Sequence, residues 1–276
     1  MNDVLVGNYA ARRWDLWPPD SLRIVNWNID RGMRLREVID FLESARADLL
    51  ILQEVDVNAR RTHFLNIAEE IARKLRMNYV FGREFQELTQ GNSASPAYHG
   101  QATLSPWSLR KPRVIRFRRQ SDFWRPRWYL PRMSLFQERL GGRIALVTEV
   151  QVQSQRLCVF NLHLESRGDE DLRLAQLEEA IGSAAAQARE LPTLLAGDLN
   201  FDVSHAAPAG VLNHVGFRNA LGLPSPRTTT PRGLFRQRRN IDWVYVSGRV
   251  EPVNGRVHDM IDASDHYPIS FTLKFG

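Results

Sequence analysis

The stretch RLCVFNLHL, residues 156–164, decides how this chain is built. Its apolar residues fall on both alternating sets of positions, with Leu157 and Val159 on one side and Cys158, Phe160, Leu162 and Leu164 on the other. Side chains of a strand point alternately to opposite faces, so a run this apolar is buried on both. LLILQEV, residues 49–55, has the same character. A sheet buried on both faces needs cover, and helices are the natural cover, which predicts an α/β architecture.

Working outward, strand-length apolar runs recur as LRIVNWNI (22–29), DLLILQEV (48–55), RIALVTEVQV (143–152), TLLAGDLN (193–200), IDWVYVS (241–247) and ISFTLKF (269–275). Between them lie helical patterns. LREVIDFLESAR aligns Leu35, Val38, Ile39 and Leu42 on one face, and FLNIAEEIARKLR aligns Leu65, Ala68, Ile71, Ala72 and Leu75. EDLRLAQLEEAIGSAAAQARE predicts the longest helix, with Leu172, Ala175, Gln176 and Glu179 along one side, and a further helix is read near HAAPAGVLNHVG. QELTQGNSASPAYHG, residues 86–100, has the Gly, Ser, Asn and Pro content of a long loop. No internal repeat or low-complexity segment interrupts the pattern, so the expected organisation is a lead-in segment over 1–20 and a single domain over 21–276.

No apolar run approaches the roughly 20 residues of a membrane span. The opening MNDVLVGNYAARRWDLWPPD lacks the basic-then-apolar order of a secretory signal, so the expected location is cytoplasmic. The single cysteine, Cys158, sits inside an apolar run and reads as a buried small hydrophobe. The net charge is +6, which favours polyanionic partners, and its distribution is uneven. RKPRVIRFRRQSDFWRPRWYLPR, residues 110–132, interleaves Arg110, Lys111, Arg113, Arg116, Arg118, Arg119, Arg125, Arg127 and Arg132 with Phe117, Phe123, Trp124, Trp128 and Tyr129. A second basic group, Arg232, Arg236, Arg238 and Arg239, precedes IDWVYV.

Polar residues recur at one kind of place, the ends of apolar strands. Asn28 and Asp30 end IVNWNID, Glu54 ends LILQE, His163 lies near the end of CVFNLH, and Asp198 and Asn200 end LLAGDLN. Asp242 begins IDWVYV, and Asp265 and His266 stand just before ISFTLKF. Strand ends form the crevices in which layered α/β proteins bind ligands, so these groups are expected to converge. Asn28, Glu54 and Asp265 offer hard oxygen ligands suited to Mg²⁺ or Mn²⁺, and Cys or His clusters at zinc spacing are missing. His163 and His266 add groups that exchange protons near neutrality. Taken one at a time, each has a plain structural explanation: Asn28 and Asp30 as a strand end, Gly197 and Asp198 as a turn, Glu54 and Asp56 as a solvated edge.

The motifs NWNID (26–30), LQE (52–54), NLHLES (161–166), GDLN (197–200), IDWV (241–244) and SDH (264–266) occur in that order. Together they resemble the endonuclease/exonuclease/phosphatase superfamily, the DNase I-like hydrolases. WNID, LQEV, HLES and SDH are similar to the tyrosyl-DNA phosphodiesterases, and QEVDVNARRT is similar to bacterial metal-dependent hydrolases. The resemblance implies a four-layered sandwich of two packed, mostly antiparallel β-sheets flanked by helices. It implies a divalent-metal-dependent phosphodiesterase with Glu54 as principal metal ligand, aided by Asn28 and completed by Asp265. Asp30 and Asp242 would orient the histidines or water, and Asp198 with Asn200 would align the nucleophile. His163 would bind a phosphate oxygen, and His266 would serve as general base or phosphate donor, the choice of base between His266 and Asp198 being left open. The chain departs from the family where an Asn commonly precedes the strand after the first loop: here HGQATLS offers His99 or Gln101.

Superfamily members hydrolyse nucleic acids, protein–DNA links, sphingomyelin and inositol phosphates, so the substrate must be read from elsewhere. The basic, aromatic segment favours nucleic acid, with single-stranded or end-modified DNA foremost, because arginine matches phosphate and aromatics stack on unpaired bases. The plainer alternative takes RVIRF and PRMSLF as strands with solvated arginines. Arg with Trp also suits an anionic membrane surface, which makes phospholipid or small-molecule phosphates the second substrate class.

Overall fold

A computed structural model describes residues 3–10, 19–129, 138–201, 206–222, 229–230 and 239–276. One eight-stranded sheet runs β1 (Val4–Asn8), β4 (Asn78–Glu87), β5 (Ala97–Ser105), β3 (Leu49–Val57), β2 (Ser21–Arg31), β14 (Ile269–Phe275), β13 (Val250–Val257), with β7 (Arg139–Gly141) beside β4. The second, six-stranded sheet runs β11 (Arg218–Asn219), β12 (Asp242–Ser247), β10 (Thr193–Asp198), β9 (Gln155–His163), β8 (Ile144–Val152), β6 (Ser108–Arg116). Among the described strands β2 with β3 and β9 with β10 pair in parallel, and the other pairs are antiparallel.

Three apolar clusters give four layers. Helices α1 (Leu35–Ala45) and α2 (Ile67–Leu75) bury Val38, Phe41, Leu42, Ile67 and Ile71 against Val25, Trp27, Leu50 and Leu52. Helices α3 (Glu170–Ala188) and α4 (Ala206–His214) lie over the second sheet, where Leu177, Ala180, Ile181 and Leu212 meet Phe160, Leu162, Leu195 and Trp243. Between the sheets, Leu22, Ile24, Leu49 and Ile51 face Leu157, Val159, Leu194, Ala196, Val244 and Val246. The double-sided apolarity of RLCVFNLHL thus has its cause: odd positions meet the other sheet and even positions meet helices.

The inter-sheet face changes character along its length. Continuing the alternation past its apolar part brings Asn26, Gln53 and Asn161 inward, all buried, and Gln53 Nε2 donates to Asn161 Oδ1 at 2.7 Å and Asn26 Oδ1 at 3.0 Å. Asn161 Nδ2 donates to the carbonyls of Leu52 and Ala102, each at 3.0 Å, tying the two sheets together. This amide belt satisfies most of its own polar groups at a depth where an unmade hydrogen bond costs about 1–3 kcal/mol. Beyond it lie the ionisable residues.

Several elements differ from expectation. The loop expected over 86–100 shrinks, because β4 extends to Glu87 and β5 begins at Ala97. VEPVNGRV forms β13 at a sheet edge, where proline and exposed polar residues break the apolar pattern. The 1–20 segment contributes β1, paired with β4. Helix α2 starts after Asn66, whose side chain accepts from Glu69 N at 3.2 Å, so Leu65 precedes it and is exposed. The buried stripe of α3 passes through Leu172, Gln176, Leu177, Ala180, Ile181 and Ala184; Ala175 and Glu179 flank it.

Candidate active site at the polar end of the sandwich

His163, Asp198 and Asp242 end or begin three neighbouring strands in register, Asp198 opposite His163 on one side and opposite Asp242 on the other. All three are buried and lie on the inter-sheet face. Gly197 makes the close fit: a Cβ there would stand 1.9 Å from the Leu162 carbonyl, and its φ is +152°. Glycine is required because both the contact and the backbone exclude a side chain. Gly197 and Asp198 are therefore a strand end rather than a turn.

Opposite, β2 and β3 reach the site through irregular backbone. Their register shifts between Asn28 and Arg31, and β3 shifts against β5 between Leu52 and Val55. Asp30, Arg31 and Glu54 have φ of +42°, +65° and +50°, unusual for residues with a side chain. In regular alternation Glu54 would follow Leu50 and Leu52 towards the helices; with the shift, Val55 takes that place in the core. A bulge that re-aims one side chain is a common device beside functional sites.

Asp198 is the hub. Its Oδ1 accepts from Asn200 N at 2.9 Å, and its Oδ2 accepts from Asn28 Nδ2 at 3.1 Å. The same Oδ2 lies 3.6 Å from His266 Nε2 and 3.7 Å from His163 Nε2. Asn200, at φ +55°, anchors its own Nδ2 on the Leu164 carbonyl at 3.1 Å, and Arg239 Nη2 donates to its carbonyl at 2.8 Å. His266 Nδ1 donates to Asp242 Oδ2 at 2.8 Å. Burial works against the imidazolium, yet the charges of Asp242 and Asp198 outweigh it and hold the His266 pKa well above the ordinary value. The loop carrying His266 is fixed by Trp27 Nε1, which donates to its carbonyl at 2.8 Å, and by Ser264 Oγ, which donates to the Asn28 carbonyl at 2.7 Å.

The remaining carboxylates form a second group. Burial favours the neutral form of Glu54, but the positive charge of Arg31, with His99 and His163 behind it, keeps its pKa well below the usual range. Burial raises the Asp30 pKa, Arg31 lowers it, and Asp265 and Glu54 raise it further, so Asp30 feels both of the other carboxylates. Asn28 Oδ1 accepts from Asp30 N at 3.1 Å. Carboxylates beside an amide oxygen are hard-oxygen donors of the kind a divalent cation takes, although Asp30, Glu54 and Asp265 do not lie close enough together to form a ready ligating group. Two tighter ligating groups exist among the described residues, Glu84 with His99 and His163, and Asp198 with Asp242 and His266. The first has a guanidinium in it, since Arg143 Nη1 lies 2.9 and 3.1 Å from the His163 ring nitrogens and 3.1 Å from Glu84 Oε2. The second is closed by the His266–Asp242 hydrogen bond.

Behind His163 lies a buried ionic network that the motifs do not reveal. Glu84 Oε1 accepts from Gln101 Nε2 at 3.0 Å and lies 3.4 Å from His163 Nδ1. Against the cost of burial, His163 and Arg143 bring its pKa down to about 2. Asp56, read as part of a solvated edge, is fully buried: Arg61 donates to both of its oxygens, at 2.6 and 2.8 Å, and His99 Nδ1 lies at 3.0 Å. Gln101 and His99, at the place where the family commonly has an Asn, are thus occupied by Glu84 and Asp56. The signal for this layer was Glu84 inside REF and His99 and Gln101 inside HGQ, polar residues on strands whose alternation turns them inward.

The basic, aromatic segment divides in two. Residues 108–116 form β6, where Lys111 pairs with Glu149 at 2.9 Å and Arg116 donates to backbone carbonyls of Glu84 and Gly142. Residues 117–129 leave the sheet and run beside the site. Trp124 Nε1 donates to Glu165 Oε1 at 3.2 Å, two residues beyond His163, and Arg139 and Arg167 lie over its ring at 4.7 and 6.0 Å. Phe123 and Tyr129 are exposed and Trp128 is 96% exposed. Arg132, the PRMSLF stretch, Arg232, Arg236 and Arg238 lie outside the described residues. Arg173 donates to the Gly168 carbonyl at 3.2 Å, and Asp169 caps α3 by accepting from Leu172 N at 2.9 Å.

The sandwich and the order of its motifs define a DNase I-like protein. Residues 25–266 match the model of the Endonuclease/Exonuclease/phosphatase family, and the chain belongs to that family, whose members are generally hydrolytic phosphoesterases. Similar solved structures share the fold. A family protein from Beutenbergia cavernae is 17% identical with a TM-score of 0.68, over 94% of this chain and 72% of its own. A functionally unknown conserved protein from Enterococcus faecalis is 18% identical with a TM-score of 0.66, over 92% of this chain and 100% of its own. TDP2 from Caenorhabditis elegans is 18% identical with a TM-score of 0.59, over 92% of this chain and 74% of its own. No curated protein matches the chain in sequence. No helix among the described residues is long and apolar enough to cross a membrane.

Proposed function

We propose that the chain is a divalent-metal-dependent phosphodiesterase acting on nucleic acid, as a nuclease or a processor of DNA ends. The observation that carries the reaction is the Asp198 carboxylate, held by Asn28 and Asn200 and faced by His163 and His266. Glu54, Asn28 and Asp265, with Asp30 beside them, would hold Mg²⁺ or Mn²⁺, which when bound supplies charge neutralisation at the phosphate.

The side chains supply the rest. Asp198, buried and acceptor-only in its ionised form, aligns a water by accepting its proton, with Asn28 and Asn200 fixing the carboxylate plane. His266 reaches the phosphate as an imidazolium, because Asp242 and Asp198 favour its charged form, and it donates a hydrogen bond to a phosphoryl oxygen as negative charge develops. This makes Asp198 the better base and His266 the better donor. His163, braced by Arg143 and Glu84, contacts a second phosphoryl oxygen from the opposite side.

Nucleic acid is favoured over other phosphoesters by the tether between Trp124 and Glu165. It holds exposed Phe123, Trp128 and Tyr129, together with Arg118, Arg119, Arg125 and Arg127, close to the strand that carries His163. Aromatic rings between arginines suit unpaired bases and the phosphates between them. The test is a substrate panel with Mg²⁺ or Mn²⁺: single-stranded DNA, end-blocked oligonucleotides, phospholipids and inositol phosphodiesters. Cleavage of the oligonucleotides, abolished by Glu54→Ala, is expected; cleavage of lipid or inositol substrates alone would replace the nucleic-acid reading with the lipid or small-molecule one.

A further inference from the structure

Arg31 occupies an unusual position for a basic residue. Its register on β2 sets it opposite Val55, next to Glu54 on the neighbouring strand. Nη1 donates to Asp30 Oδ1, Nη2 lies 3.5 Å from Glu54 Oε2, and Nε, though buried, has no partner among the described residues. The side chain cannot easily leave by backbone adjustment. Asp30, Arg31 and Gly32 all have positive φ, and Gly32 abuts Ile67 so closely that a Cβ would come within 2.7 Å of it. Arginine is therefore held with one arm hydrogen-bonded to Asp30 and the other loosely on the carboxylate proposed to receive the cation.

We infer that Arg31 is a built-in counter-cation of the metal centre, which a divalent ion must displace from Glu54 and which thereby sets metal affinity. The inference rests on the proposed role of Glu54 as a metal ligand. Asp265 and Glu54 each work against the charge on Asp30, and the guanidinium of Arg31 offsets them by lying against both Asp30 and Glu54. A 3.5 Å pair with Glu54, partly exposed on both sides, is weak enough for a doubly charged ion to replace. The hydrogen bond to Asp30 does not involve Glu54, so the exchange at Glu54 leaves it in place.

The experiment titrates MnCl₂ alone into metal-free protein, followed by calorimetry and by the free-Mn²⁺ electron paramagnetic resonance signal, without substrate. Arg31→Gln and Arg31→Gly should each bind Mn²⁺ about fivefold more tightly than the native protein, the change expected when a partly exposed ion pair stops competing. Arg31→Lys, which keeps the charge, should stay near the native affinity. Arg31→Gly suits the left-handed backbone and so keeps the comparison valid if the glutamine variant folds poorly. Unchanged or weaker binding by the neutral variants, with Glu54→Gln abolishing binding, would overturn the role of Arg31 alone. Native binding by Glu54→Gln would remove Glu54 from the metal centre and the inference with it.

Discussion

His266 Nδ1 and Asp242 Oδ2 stand 2.8 Å apart, joining the C-terminal loop to the strand that begins 24 residues earlier. The pair fixes the ring so that Nε2 points towards Asp198, 3.6 Å away. Removing the ring should cost catalysis without costing metal. His266→Ala is expected to lower turnover by about 10²- to 10⁴-fold, the usual worth of a positioned proton donor, with Mn²⁺ affinity within twofold of native. Asp242→Asn should lower turnover by about 10²-fold or more, by losing the charge that keeps His266 an imidazolium. Steady-state rates beside a Mn²⁺ titration check both; loss of metal binding in His266→Ala would mean that the loop only shapes the cation site.

Glu84 gives a pH signature. Its pKa falls from the ordinary 4.5 to about 2, so its ionised form stabilises the fold fully above pH 4.5 and that stability is lost as pH falls towards 2. The difference corresponds to about 3 kcal/mol. Glu84→Gln should reduce stability at pH 7 by about that amount, and its stability should vary less between pH 4.5 and 2. Urea unfolding at a series of pH values measures it; parallel native and variant curves across that window would show that Glu84 bears no such charge interaction.

Gly197 should resist the smallest substitution. Gly197→Ala places a Cβ 1.9 Å from the Leu162 carbonyl at a φ that alanine rarely adopts, so β10 and β9 must separate. A loss of about 3 kcal/mol or more is expected, with activity falling further because Asp198 is the next residue. Thermal melting of the purified variant decides it, and a native melting temperature would contradict the close packing of the two strands.

The aromatic segment offers a way to separate substrate binding from chemistry. Trp128→Ala combined with Phe123→Ala should weaken single-stranded DNA binding by about 30-fold or more, at about 1–3 kcal/mol for each of the two stacked bases. Hydrolysis of a small chromogenic phosphodiester should be unchanged. Fluorescence anisotropy with labelled oligonucleotides supplies the measurement; equal DNA affinity would leave these rings without a role in substrate binding.

Much of the fold is visible in the sequence because burial on both faces writes itself as unbroken apolar runs, as in LLILQEV and RLCVFNLHL. Edge strands such as VEPVNGRV leave no such trace, since only one side of them is covered. The polar ends of the central strands also stand out, which is why Asn28, His163, Asp198, Asp242 and His266 can be picked out from the sequence. What escapes is whatever depends on a second strand. Glu84, Asp56 and Arg143 look like surface charges in sequence and become buried partners only when β3, β4, β5 and the start of β8 are brought together. The bulge that turns Glu54, and the guanidinium of Arg31 lying against it, depend on backbone dihedral angles that no side-chain pattern records.

Cleavage of an end-blocked single-stranded oligonucleotide by the purified protein bears on the proposed activity as a whole. Product should form with Mg²⁺ or Mn²⁺, vanish with chelator, and fail to form with Glu54→Ala at any metal concentration. Equal cleavage by native and Glu54→Ala protein, or cleavage that survives the chelator, would contradict a metal-dependent phosphodiesterase centred on Glu54 and Asp198.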